Sequence, residues 1–361
     1  MQNRKLQNLQ ILRGISALLV CCFHARKFLN GDIEFGEILF INGSIGVPIF
    51  FIISGFIMVY TTKELPSDAF KNVKDFLFKR IIRVIPLYYI LTILFLLITN
   101  SENFINDGII RVLKVFLFIP TGNYPPLYVG WTLNYEMFFY ATFGISLMFK
   151  NKRYVFLYSI FAILIFIIPL FNNGFISLNS KSGHDVKTYL ELMSHPILLQ
   201  FLLGVFIGNI LPKFSLSDSI IKLGVFLTTL LFCLYYFNIF KFVFSDLIIC
   251  GLLVFSIILL DQSNVKFTKP RLLIYFGDIS YSIYLVHPII ILFLPRLFAK
   301  IGLIQLVESK LFFLIILIFT ILSSAILYKL IEKRLTSYLR NKFINSTLLN
   351  NGYKKLLNSI K

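Results

Sequence analysis

Long apolar runs separated by short, mostly basic stretches make up most of this 361-residue chain. Crossing a bilayer core about 30 Å thick takes about 20 mostly apolar residues in a helix that rises about 1.5 Å per residue. Runs of that kind fall at 9–28, 44–62, 82–99, 129–149, 154–172, 194–212, 219–237, 243–260, 275–294 and 310–331, and the pattern predicts an all-α polytopic membrane protein of about ten helices. Arg4 and Lys5 precede the first run as they would in a signal peptide, but no small-x-small cleavage site follows His24, so a retained helix is expected. The stretches outside the spans, 63–81, 100–128, 173–193 and 332–361, are too short for a soluble catalytic module. Any active site must therefore be built from helices and short loops, with 1–335 as one membrane domain and 336–361 as a basic cytoplasmic tail.

Composition agrees: 57% of residues are hydrophobic, 17% aromatic and 14% charged, far more apolar surface than a soluble core needs. The formal charge of +18 changes meaning once it is placed against the membrane. With the N-terminus inside, roughly 25 of the 35 Lys and Arg residues fall on the cytoplasmic side. The basic balance is then topological and calls for no nucleic-acid partner, and both termini are expected in the cytoplasm. Its largest contributors follow the second span (Lys63, Lys71, Lys74, Lys79, Arg80 and Arg83) and the last one (Lys333, Arg334, Arg340 and Lys342). The latter group suits a helix lying on anionic lipid. Cys21, Cys22, Cys233 and Cys250 all sit in predicted spans without metal-ligand spacing, which favours packing roles and proposes no metal.

Ionisable residues inside spans cost about 2.5–3.5 kcal/mol each on insertion scales, so each is a functional candidate. In the first helix Arg13 and His24 are separated by about three turns and project from one face about 16 Å apart. Imidazole can take a proton from a hydroxyl near neutrality and pass it on; the competing reading makes Arg13 a snorkelling anchor and His24 an interface residue. Ser54, in GVPIFFIISGF, suits helix packing or a bond across an interface. Arg80 and Arg83 share a face at the entrance to the third span, where guanidinium forks suit phosphates and also serve as inside anchors. Trp131, the sole tryptophan, reads as an aromatic-belt residue. Glu136 lies deeper, on one face with Thr132 and Tyr140, and either orients His24 or pairs with an arginine. Ser280, Tyr284 and His287 form a polar stripe in the ninth span, ending at Pro288. His184 and His195 carry no assigned role.

Taken in order, Arg13-x10-His24, FFIISGF (Phe50 to Phe56), Arg80-x-x-Arg83 leading into IPLYY, GWTLNYE (Gly130 to Glu136) and ISYSIYLVH (Ile279 to His287) resemble the bacterial membrane acyltransferase family 3, over roughly 7–335. The resemblance implies a ten-helix enzyme of the bacterial inner membrane. It would move an acyl group, usually acetyl, from cytoplasmic acetyl-coenzyme A to a surface glycan, with no permanently bound cofactor. It implies His24 as the central catalytic residue with Arg13 its partner, Arg80 and Arg83 at the donor entrance, and Glu136 at an acidic position. Pro48 departs from the pattern, since many members carry an acid there. Asp32, Glu34 or Glu37 is then expected to stand in, unless the acceptor differs. Other acyl groups such as succinyl, non-glycan acceptors, and a transporter or flippase of lipid-linked sugars are the alternatives. A transporter is expected to show repeated halves with interrupted helices, and none is visible. Oligomeric state is left open, because faces toward lipid and toward a second copy look alike.

Overall fold

A computed structural model describes residues 6–64, 68–99, 109–173, 183–211, 214, 216–242, 244–265 and 269–342. Among them every regular element is helical. The principal helices are α1 (Gln7–Ala25), α2 (Gly46–Thr61), α3 (Ala69–Thr99), α4 (Trp131–Ser146), α5 (Arg153–Ala162, continued through a π turn to Asn173), α6 (Leu198–Ile210), α7 (Asp218–Tyr236), α8 (Ser245–Gln262), α9 (Ser280–Lys300) and α10 (Leu311–Leu327). Nine continuous helical stretches among the described residues are long and apolar enough to cross a membrane. One of them, Tyr128–Phe171, has 44 residues, more than twice the length that a bilayer core accommodates. It breaks at Lys150 (φ 46°), and α4 and α5 fold back on one another with the Phe139 and Phe161 rings 5.7 Å apart. Nine stretches thus contain ten crossing arms, at the places the apolar pattern gives.

The helix boundaries differ from the pattern in three places, each for a physical reason. The third helix starts at Ala69 rather than 82, so much of the stretch expected to be a loop is a basic helical extension, held by buried Phe76 against Phe143, 5.3 Å between rings. Pro86 lies inside this helix and has no N–H for the carbonyl of Ile82; the Thr336 hydroxyl donates to that carbonyl instead, at 3.3 Å. The ninth span starts at Ser280 rather than 275, because the chain bends at Ile279 after a separate short helix, Arg271–Asp278. The last helix does not end at 331: a π turn, Tyr328–Leu335, carries it on to Lys342. The rest of the expected tail, 343–361, lies outside the described residues.

The first helix is the hub, packed on α2, α8, α9, α10 and the short helix Arg271–Asp278. Its start is fixed by Asp261 of α8, whose carboxylate accepts the backbone N–H groups of Asn8 and Leu9 at 2.9 Å each. An anion at a helix N-terminus meets both orphan donors and the positive end of the dipole. Elsewhere the backbones touch. A Cβ on Gly277 would lie 2.0 Å from the Gln10 carbonyl oxygen, and one on Gly204 of α6 would lie 1.9 Å from that of Ile52 on α2. Small residues at such crossings let helices approach without a side chain between them. Because the helices alternate in direction, the basic segments after α2, between α4 and α5 and around Lys269 and Lys333 gather at the end of the bundle where α1 begins, here termed the basic end.

Replacing Gly204 by Leu should therefore separate α2 from α6. The expected outcome is loss of the monodisperse peak in detergent size-exclusion chromatography, whereas Gly224→Leu, at a position with open space around it, should leave the peak intact.

Candidate active site

A chamber of about 220 Å³ lies between α1, α2, α3, α4 and α9, and its walls carry Arg13, Ser54, Arg80, Arg83, Glu136 and Tyr284. Six polar residues singled out along the sequence thus converge on one space. Arg13 Nη1 donates to Gln10 Oε1 (3.0 Å), and Gln10 Nε2 donates in turn to Asp278 Oδ1 (2.8 Å). Arg80 Nη2 donates to Thr61 Oγ1 (3.3 Å), and its guanidinium sits 5.3 Å from the Phe76 ring centre and 5.5 Å from that of Tyr140, within range of cation–π attraction. Arg83 forms no hydrogen bond or ion pair among the described residues and presents its fork to the chamber wall.

Glu136 accepts the hydroxyl of Tyr140 and, at 3.4 Å, that of Ser54. It does not meet His24. Sequence alone allowed a Glu136–His24 pair, but Tyr140 holds the carboxylate one turn nearer the basic end, while His24 is at the other end of α1. The charges that Glu136 balances are those of Arg13 and Arg80, with which it is electrostatically coupled. A second carboxylate escaped the sequence reading. Glu332, in the π turn after α10, accepts the Ser282 hydroxyl and is coupled to Arg13 and Arg83. Its signal was a lone acid between Lys329 and Lys333, easily taken for part of a solvated tail.

Toward the far end the chamber closes beneath a hydrogen bond between the Tyr284 and Thr132 hydroxyls, 3.0 Å long. Behind Tyr284 lies His287, 6.1 Å away ring to ring, and beyond it His24, stacked on His287 at 5.3 Å with the planes 27° apart. Tyr128 closes the other side of His24 at 4.8 Å. His287 is fully buried, and its Nδ1 lies 3.1 Å from the Ile283 carbonyl oxygen. A carbonyl only accepts, so Nδ1 carries the proton and Nε2 keeps the lone pair; that Nε2 is buried with no partner. The side chain of His24 makes ring contacts but no hydrogen bond among the described residues. His24 therefore stands behind the chamber wall rather than in it, with His287 between it and Tyr284.

Trp131 lies outside the arginine chamber. Together with Pro48 it lines a second chamber, of about 790 Å³, at the far end. Asp32 lines neither; it is exposed in the bend before residues 35–40. Glu34 is likewise exposed, and Glu37 pairs with Arg26 at 2.8 Å. None of the three lines either chamber. The carboxylate in the wall with Pro48 is Asp246, from the start of α8, which accepts the Tyr235 hydroxyl.

Residues 6–329 match a family model described as an acyltransferase domain. The chain is 29% identical over 282 residues, 73% of its length and 81% of the relative's, to the exopolysaccharide production protein ExoZ of Rhizobium meliloti (strain 1021). No solved structure matches it.

Removing the Glu332 counter-charge should leave Arg13 and Arg83 less compensated. Glu332→Ala is expected to destabilise the protein by about 1–3 kcal/mol, read as a lower thermal midpoint in detergent, while Asp32→Ala should leave the midpoint unchanged.

Proposed function

The chain belongs to the acyltransferase family whose model it matches, and on that premise we propose that it moves an acetyl group from cytoplasmic acetyl-coenzyme A to a hydroxyl of a cell-surface glycan. The observation that carries this reading is the convergence of Arg13, Arg80 and Arg83 on one chamber beneath the His24–His287 stack. Three guanidinium groups against one lining carboxylate make a site for an anion, and their forks suit phosphate oxygens. About 220 Å³ falls below the 300–1,000 Å³ or so of pockets that enclose a drug-sized ligand. That space suits a slender thioester arm, with the nucleotide left outside at the basic end. In this reading the basic end faces the cytoplasm of a bacterium by the positive-inside rule, and the far end faces the glycan across the inner membrane.

In this reading the chemistry centres on His24. His24 removes the proton from the sugar hydroxyl, and the alkoxide oxygen attacks the thioester carbonyl carbon. The new C–O bond forms, the C–S bond breaks, and the leaving thiolate takes the proton from the imidazolium. For the thioester to meet His24, the Tyr284–Thr132 hydrogen bond over the chamber has to open. Glu136 serves in this scheme as a counter-charge for the donor arginines, not as a partner of His24. The exopolysaccharide relative supports a glycan acceptor, an exopolysaccharide, capsule or O-antigen sugar. Succinyl or another acyl group is the alternative cargo for the same site.

Purified protein in nanodiscs, given acetyl-coenzyme A and host glycan, is the test. Thiol release should require the glycan. Arg80→Ala and Arg83→Ala should each raise KM for acetyl-coenzyme A about 10- to 100-fold, the loss of a charge-assisted bond of about 1.5–3 kcal/mol. His24→Ala should abolish turnover and leave donor binding in place. Glycan-independent uptake of a lipid-linked sugar into vesicles, with no thiol release, would instead identify a transporter.

A further inference from the structure

The far-end chamber has the opposite character to the arginine chamber. Lys241 and Asp246 set one cation against one anion, and His184 in the wall lies 3.2 Å from the Asp185 carboxylate. His195 Nδ1 accepts the Ile197 N–H at 3.1 Å, which places the imidazole proton on Nε2. The Gln200 amide oxygen is buried with no hydrogen-bond partner. Trp131 and His184 supply flat ring surface in the same wall, 6.4 Å apart centre to centre and steeply inclined. Donors and acceptors in near balance, aromatic rings and no net charge suit a ligand that offers many hydroxyls around apolar C–H faces. They do not suit a phosphate-rich ligand or an acyl chain. A volume of about 790 Å³ lies within the range of pockets that enclose a ligand the size of one or two sugar rings.

The chamber is also connected to the chemistry. Val47 lines both chambers. A run of ring contacts leads from Trp131 through His184, Tyr124 (3.9 Å from His184) and Tyr128 (6.4 Å from Tyr124) to His24 (4.8 Å from Tyr128). The wall is braced rather than loose: Tyr135 donates to the Gly183 carbonyl at 2.8 Å, and a Cβ on Gly183 would meet the Trp131 ring at 2.5 Å. We propose that this chamber seats the acceptor, one or two neutral sugar rings lying against Trp131 and His184, with hydroxyls bonded to Gln200, His195 and Asp246. The proposal rests on the acyl-transfer reading for its purpose, but not for its test.

Trp131 is the only tryptophan, so its emission reports on this chamber alone. The probe is a de-acetylated oligosaccharide released from the host's surface glycan, titrated into the full-length protein in nanodiscs. A saturable change in Trp131 emission is expected, insensitive to 0.5 M salt and not competed by coenzyme A. Gln200→Leu removes an oxygen that has no partner within the protein, so it should fold. It should weaken the oligosaccharide response and raise KM for the oligosaccharide about tenfold, leaving KM for acetyl-coenzyme A unchanged. If the oligosaccharide is acylated while Trp131 stays silent, or Gln200→Leu keeps the native KM for it, the acceptor sits elsewhere and this proposal falls although acyl transfer stands. If no glycan is acylated, the acyl-transfer reading falls, and the emission titration still decides whether the chamber binds sugar.

Discussion

Holding three guanidinium groups inside an apolar bundle is the constraint on which the rest of this structure depends. Each charged residue placed in a membrane span costs about 2.5–3.5 kcal/mol on insertion scales, and a cluster persists only if counter-charges and hydrogen bonds surround it. The compensation comes from every side. Glu136 is held by Tyr140 and Ser54 from α4 and α2. Glu332 is held by Ser282 of α9 after a π turn brings it inward. Arg13 is tied through Gln10 to Asp278. The helices that supply these groups must meet closely, and the backbone contact of Gly277 with Gln10 allows one of those approaches, while Gly204 brings α6 against the Ser54 helix from outside. Pro86, which breaks the ladder of α3, is answered by Thr336 from the helix that carries Glu332, so the same last segment braces the arginine helix twice.

From this arrangement follows a division of labour along the membrane normal. The charged chamber toward the basic end suits an anionic donor, and the balanced polar chamber at the far end suits a neutral polyol. The stacked imidazoles stand between them and belong to neither. The Tyr284–Thr132 hydrogen bond closes the charged chamber on the side of those imidazoles. His287 adds a buried Nε2 without a hydrogen-bond partner beside His24, and its ring is the surface on which His24 stacks.

Much of the fold was legible because the membrane makes hydropathy decisive: the ten crossing arms stand where the apolar runs stand. The basic extension 69–81 was not, since a helix that leaves the bilayer at its charged end has no apolar run to reveal it. The arginine chamber was legible for the same reason as the spans, because Arg13, Arg83, Glu136, Ser54 and Tyr284 each broke an apolar pattern and Arg80 stood at the edge of one. What sequence could not give was height and pairing. The stack of His24 on His287 joins residues 263 positions apart, and the direction in which Glu136 reaches depends on Tyr140 rather than on spacing to His24. Asp246, Asp261 and Glu332 escaped notice because each lies at or beyond the edge of an apolar run, where a charge does not interrupt the pattern.

The most direct measurement is mass spectrometry of the surface glycan from cells carrying the native protein, the His24→Ala protein at equal membrane abundance, and neither. An acetyl mass increment on the glycan only in the native cells is the expected result. A full increment with His24→Ala would contradict the imidazole-centred mechanism, and the same glycan mass in all three strains would contradict acyl transfer to this acceptor.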